Sequence, residues 1–160
     1  MTVVQNLRSP LVLFVAIGSG LTAGIFFAFS TFVMQALGQQ TAAAGIAAMQ
    51  SINVTVINPW FMAAFFGPGL IGLLLTLTTF RQFDQPGAFY WLAGTVIYLI
   101  GTIGVTIVGN VPLNDALAVV SPDSAAGATL WAKYLIDWTL WNHMRTVAAA
   151  IAAVLFTLAL

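Results

Sequence analysis

Apolar residues fall in four runs, at about 11–33, 60–80, 88–109 and 143–160, each near the ~20 residues a helix needs to cross a bilayer. The first begins after a short polar lead with Arg8 and is too long for the apolar region of a cleaved signal, so it is expected to stay as a span. Within it Gly20, Gly24 and Ala28 recur every fourth residue, a spacing that admits a second helix closely, from this chain or another copy. The second run contains Gly67-Pro68-Gly69, which frees backbone groups and predicts a kink or break, either a packing feature or the wall of a cavity. Along the third, Thr95, Tyr98, Thr102 and Thr106 share one side. Such hydroxyls bond back to their own helix or face a pocket.

Between the runs the pattern changes. Residues 41–57, TAAAGIAAMQSINVTVI, are uncharged but interrupted by Gln50, Ser51 and Asn53, which predicts a helix at the membrane surface, ended by Asn58-Pro59. The segment 111–142 opens with Pro112 and turns again at Ser121-Pro122-Asp123, so it reads as a long, partly helical connection. The predicted fold is therefore all-α, one integral membrane domain over 1–160: an antiparallel four-helix bundle with an additional interfacial helix and this connection before the last span.

Composition agrees with the pattern. The 160 residues are 61% hydrophobic and 5% charged with no net charge, against about 25% charged in soluble domains. Cysteine is absent and histidine occurs once, which removes thiol nucleophiles, iron–sulfur clusters and histidine-rich metal cages. No phosphate loop or dinucleotide fingerprint is present. Metal and cofactor are expected to be none, and no nucleic-acid partner is expected. Arg8 and Arg81 fall at one face, which the positive-inside tendency makes cytoplasmic with both termini inside; a bacterial inner membrane is the expected location. Lys133 opposes this, but it lies four residues before Asp137 and can pair with it.

Polar chemistry is concentrated in 131–146, WAKYLIDWTLWNHMRT, with three of the five tryptophans. As a helix it places Trp131, Tyr134, Trp138, Trp141, Asn142 and Arg145 on one stripe, while His143 lies roughly 140° from Trp138. A site using both His143 and Arg145 needs a break near Asn142. The bundle topology gathers Asn53, Asn58, Asn110, Asn114, Asp137, Asn142, His143 and Arg145 at one end. Arg145, at the mouth of a span, either snorkels or is held in the protein as a cation that orients a bound oxygen. The tryptophans form an interfacial belt or stack on a planar ligand.

GIFFAFSTFVMQAL in the first run, Met49-Gln50 with Ile52-Asn53, NVPLN at 110–114 and the ending W..Y...W..WNHMRT resemble the anthrone oxygenase-like family of small four-span membrane proteins, much of it a domain of unknown function. The resemblance spans nearly the whole chain and picks out Asn110, Pro112, Asn114, Trp138, Asn142 and Arg145. It implies cofactor-independent monooxygenation of a planar phenolic or polyketide-type substrate. On that expectation Asp137 or His143 acts as base, Asn142, Asn114 and Arg145 hold the enolate oxygen, and Asn53, Asn58, Asn110, Trp138 and Trp141 complete the substrate site. The expected partners are membrane lipid and a hydrophobic small molecule, with a homo-oligomer allowed. The alternative is a non-catalytic lipid- or quinone-binding protein or a subunit of a membrane complex, in which the same polar residues latch the helices together.

Overall fold

The structure, a computed structural model, describes residues 3–79 and 87–160, with side chains for 9–77 and 87–160. The turn expected at Arg81–Gly87, apart from Gly87 itself, and the side chains of Arg8 and Arg81 lie outside the described residues. Those that are described form helices α1 (Val3–Ala28), α2 (Met34–Gly38), α3 (Ala42–Thr55), α4 (Pro59–Thr79), α5 (Ala88–Ile97), α6 (Val111–Ala118) and α7 (Ala125–Leu158), with π-helical turns at Phe29–Val33, Tyr98–Gly104 and Thr106–Asn110. Among the described residues there is no strand.

Among the described residues three helices are long and apolar enough to cross a membrane: Ser9–Gly38, Pro59–Leu77 and Ala88–Ala118. The third continues through Pro112, where the sequence predicted an end. Pro112 falls at the first positions of α6, where its missing N–H costs little, and the preceding π turn carries the chain into it. The segment 143–160 is not a separate element. It is the second half of α7, a 34-residue helix about 51 Å long, and the break expected near Asn142 is absent.

Close approaches fix the packing. Thr22 of α1 meets Ala64 of α4, and a Cβ on Gly18 would lie 2.8 Å from Pro68 Cγ. A Cβ on Gly72 would lie 2.8 Å from Thr95 Oγ1, and one on Gly101 2.6 Å from Ala148 Cβ. In each pair of helices one number rises as the other falls, so neighbours run antiparallel. Gly20 and Gly24 have no atom within 4 Å of a would-be Cβ; the close approach in α1 is made at Gly18.

Pro68 does not break α4, which runs unbroken around it. Proline donates no N–H, so the carbonyl four residues earlier, Ala64 O, loses its helical partner. Thr22 Oγ1 donates to that oxygen at 3.1 Å, and Tyr98 OH donates to Phe65 O at 2.8 Å. Neighbouring helices thus satisfy the carbonyls that a proline helix leaves open.

Two apolar clusters result. One joins Val12, Val15, Leu75, Trp91, Tyr98 and Phe156 along the long helices. The other joins Met34, Ile46, Met49, Leu117, Trp131 and Trp138, where α3 and α6 cover the first half of α7. Thr41 caps α3, its Oγ1 accepting from Ala44 N at 3.3 Å. Gln50 fastens α3 to the end of α6 by donating to Leu117 O at 2.8 Å and, just beyond the helix, to Val120 O at 3.0 Å. α3 is therefore packed on both helices and buries Ile46 and Met49 completely.

Candidate functional site

Arg145 lies where the two clusters meet, and it is only 6% exposed. Its position on the stripe with Trp138 and Asn142 follows from the unbroken period of α7. Nε donates to Asn142 Oδ1 at 2.9 Å and Nη1 to Thr106 Oγ1 at 3.2 Å. The guanidinium carbon stands 3.8 Å from the centre of the Phe26 ring and 5.0 Å from that of Trp138, distances at which an aromatic face attracts a cation. Among the described residues no carboxylate pairs with it; the ion pair found there is Lys133 with Asp137. Arginine carries five N–H donors, and these two hydrogen bonds use two of them.

Asn142, wholly buried, is the hub of this arrangement. Its Nδ2 donates to Phe26 O and to Ser30 Oγ, both at 2.7 Å, while its carbonyl accepts from Thr146 Oγ1 at 2.6 Å. Ser30 and Thr146 hydroxyls lie 3.1 Å apart. Ser30 and Thr106 both sit in π turns. A π turn inserts a residue and rotates the following side chains, which aims these hydroxyls at α7.

Beside Arg145 lies a cavity of about 270 Å³, a little under the ~300–1,000 Å³ of small-molecule pockets. Its polar lining is Arg145, Thr106, Asn53 and Asn114; aromatic walls come from Phe26, Phe29, Phe61, Phe65 and Trp138. Phe61 and Phe65 stack with ring centres 5.9 Å apart and planes 8° from parallel, so the wall offers a flat apolar face. Trp138 Nε1 and Tyr134 OH both donate to Asn114 Oδ1, at 2.8 and 2.7 Å. That leaves the Asn114 amide NH2 free to donate. Burial raises the Tyr134 phenol above its ordinary pKa, so it remains a neutral donor to Asn114.

The other expected site residues are placed elsewhere. His143 points outward from the continuous helix, nearly opposite Arg145, and is exposed. Asp137 pairs with Lys133 on the outer side of α7. Neither lines the cavity, and α7 continues unbroken past Asn142. Asn58 is a cap, its Oδ1 accepting from Trp60 N and Phe61 N, each at 3.1 Å. Trp141 packs its ring against Gly109 and does not border the cavity. Asn110 is buried behind the wall; its Nδ2 donates to Trp138 O at 3.1 Å while its Oδ1 has no partner.

Of the third helix's polar edge, Thr95 and Thr106 both bond back to their own helix, to Trp91 O at 3.0 Å and Thr102 O at 2.7 Å, and Thr106 also lines the cavity. Ser30, Phe26, Phe61 and Phe65 are parts of the site that the sequence reading did not single out. A signal existed for Ser30, a hydroxyl in a mostly apolar run that it shares with Ser19, Thr22 and Thr31. For the phenylalanines there was none, since aromatic residues in a span serve equally as lipid-facing anchors.

Among the described residues no three His, Cys, Asp or Glu side chains come together. The arrangement can bind a flat apolar body and hold one anionic oxygen with Arg145 and Asn114. No curated protein and no solved structure matches the chain. The sequence pattern of the anthrone oxygenase family matches residues 59–155, which include Phe61, Phe65, Thr106, Asn114, Trp138 and Arg145, and the chain belongs to that family.

Proposed function

We propose that the protein oxidises a planar, anthrone-type phenolic ketone with dioxygen, using Arg145 to hold the substrate as its enolate. The observation that carries this reading is a buried guanidinium, without a carboxylate partner among the described residues, lining an aromatic cavity. A buried cation lowers the free energy of an anion beside it far more than an exposed one does. The cavity wall offers neither carboxylate nor imidazole. Arg145 therefore acts by raising the acidity of the bound ketone rather than by taking its proton, which passes to water.

The carbanionic carbon of the enolate supplies the electrons. It adds dioxygen and takes back one proton to give a hydroperoxide. Loss of water from that carbon, with its second hydrogen, leaves a carbonyl. One oxygen atom ends in the quinone and the other in water, with the methylene carbon as the sole reductant. Asn114 shares the oxyanion with Arg145, Thr106 orients the guanidinium by accepting from Nη1, and Phe26, Phe61 and Phe65 keep the ring system flat against the wall.

Anaerobic mixing of the detergent-purified protein with a simple anthrone tests this directly. The enolate absorbs at longer wavelength than the ketone, so wild type develops a red-shifted band and then, on admitting air, consumes oxygen faster than autoxidation. Arg145→Gln loses the band and lowers turnover by about 10²-fold or more, as loss of an oxyanion donor does. Absence of both the band and excess oxygen uptake in folded wild type overturns the reading. The hydrogen bonds that join Arg145, Asn142, Ser30, Thr106 and Thr146 favour a second reading, a non-catalytic ligand-binding protein latched by that network. Saturable binding without oxygen uptake supports it.

A further inference from the structure

The cavity is polar at its inner end and apolar at its mouth. Arg145, Thr106 and Asn114 are buried or half-buried, whereas five other lining residues, Ile25, Ile57, Phe66, Ile107 and Val111, are exposed on the outer surface. Ile57 is 71% exposed, Ile107 57% and Val111 39%. Four of the five belong to the helices long and apolar enough to cross a membrane: Ile25 to Ser9–Gly38, Phe66 to Pro59–Leu77, and Ile107 and Val111 to Ala88–Ala118. Phe66 lies seven residues into α4, roughly 10 Å along its axis. Among the described residues no charged side chain borders the cavity except Arg145 at its inner end. An opening toward water would carry polar groups at its rim, whereas the exposed lining residues are all apolar.

We propose that this mouth is a lateral door to the bilayer, through which an uncharged, lipid-dissolved planar phenol or ketone passes sideways and reaches Arg145 with its oxygen leading. The proposal rests on the reading of the cavity as a site for a planar oxyanion and adds the route and the physical state of the ligand. The sense of insertion follows from charge. The oxygen meets the guanidinium only at the inner end, and the apolar rings remain against Phe61, Phe65 and the rim. Ionisation inside the cavity then retains the ligand, since the anion pays desolvation to return through an apolar door. Dioxygen, itself apolar, reaches the bound enolate by the same path.

The native chain has no cysteine, so single spin labels are unambiguous. Ile107→Cys and Val111→Cys, labelled in lipid nanodiscs, are expected to show high accessibility to dioxygen and low accessibility to a water-soluble nickel chelate, with Thr129→Cys, exposed on the first half of α7, showing the reverse. High nickel accessibility at both rim positions overturns the door whatever the ligand proves to be. A kinetic arm uses Ile107→Trp, a change at an exposed position that the fold accommodates. A narrowed door slows passage both ways, so anthrone association and dissociation both fall about tenfold with Kd unchanged, unlike the usual interface variant that changes dissociation alone. An unchanged association rate in both Ile107→Trp and Val111→Trp places the door elsewhere and overturns the proposal. Failure of wild type to bind anthrone, with the rim labels still in lipid, counts against the oxyanion site and not against the door.

Discussion

A histidine, an aspartate and an arginine within nine residues invite a shared catalytic role, but the structure separates them. His143 is exposed, the half-buried Asp137 is paired with Lys133, and Arg145 faces inward. Accordingly His143→Ala and Asp137→Asn are expected to leave anthrone-dependent oxygen uptake at the wild-type level, whereas Arg145→Lys, which keeps the charge, loses most of it. Lysine cannot reproduce the planar guanidinium that bonds Asn142 and stacks on Phe26. Steady-state turnover of the three variants, each shown folded by thermal unfolding, decides this. Asn142 behaves differently again. Asn142→Leu removes a donor to Phe26 O and Ser30 Oγ and leaves the buried Arg145 Nε without its acceptor, an expected loss of about 1–3 kcal/mol for a buried group left unpaired, visible as a lowered unfolding temperature. The inward stripe was legible from sequence because it needs only the 3.6-residue period. The base was not, because that reading required a kink, and period alone does not reveal whether a helix bends.

At the scale of elements, proline and the π turns decide how closely helices meet. Pro68 looked like a break in the sequence, yet α4 continues because Thr22 supplies the donor that proline lacks. The energetic signature of that arrangement is conditional. Thr22→Val is expected to destabilise the native chain by about 1–3 kcal/mol by stranding Ala64 O. With Pro68→Ala the helix regains its own N–H, and Thr22→Val then costs little. A double-mutant cycle read by thermal unfolding in one detergent should return a coupling of about 1 kcal/mol. Additive losses sink the account. The apolar runs that became the three long helices were visible directly, since span length and composition are local properties. The junction at Pro112 was not, because the π turns that carry the third helix through it depend on contacts with α7, such as Trp141 lying on Gly109.

In the whole molecule the cavity occupies the seam between two apolar clusters, and the cluster beneath α3 and α6 has the fewer buried residues. α3 contributes Met49, Ile52 and Asn53, and its C-cap Val56, to the cavity wall and is held over α7 by Ile46, Met49 and the Gln50 bonds to the end of α6. Local opening free energies follow buried contact, so amide hydrogens of α3 and α6 should exchange sooner than those buried along α1, α4 and α5. A ligand held by Arg145 binds only the closed seam, and linkage then stabilises that seam by RT ln(1 + [L]/Kd), about 2.7 kcal/mol at a hundredfold excess over Kd. Hydrogen exchange with and without anaerobic anthrone should therefore show added protection in residues 49–56 and in the turn Thr106–Asn110, and little change around Trp91 and Phe156 in the far cluster. The pattern should vanish in Arg145→Gln. Uniform protection of every helix would instead mean that the ligand coats the apolar surface like a detergent, because a molecule seated at one seam has no differential affinity for openings that leave the seam intact.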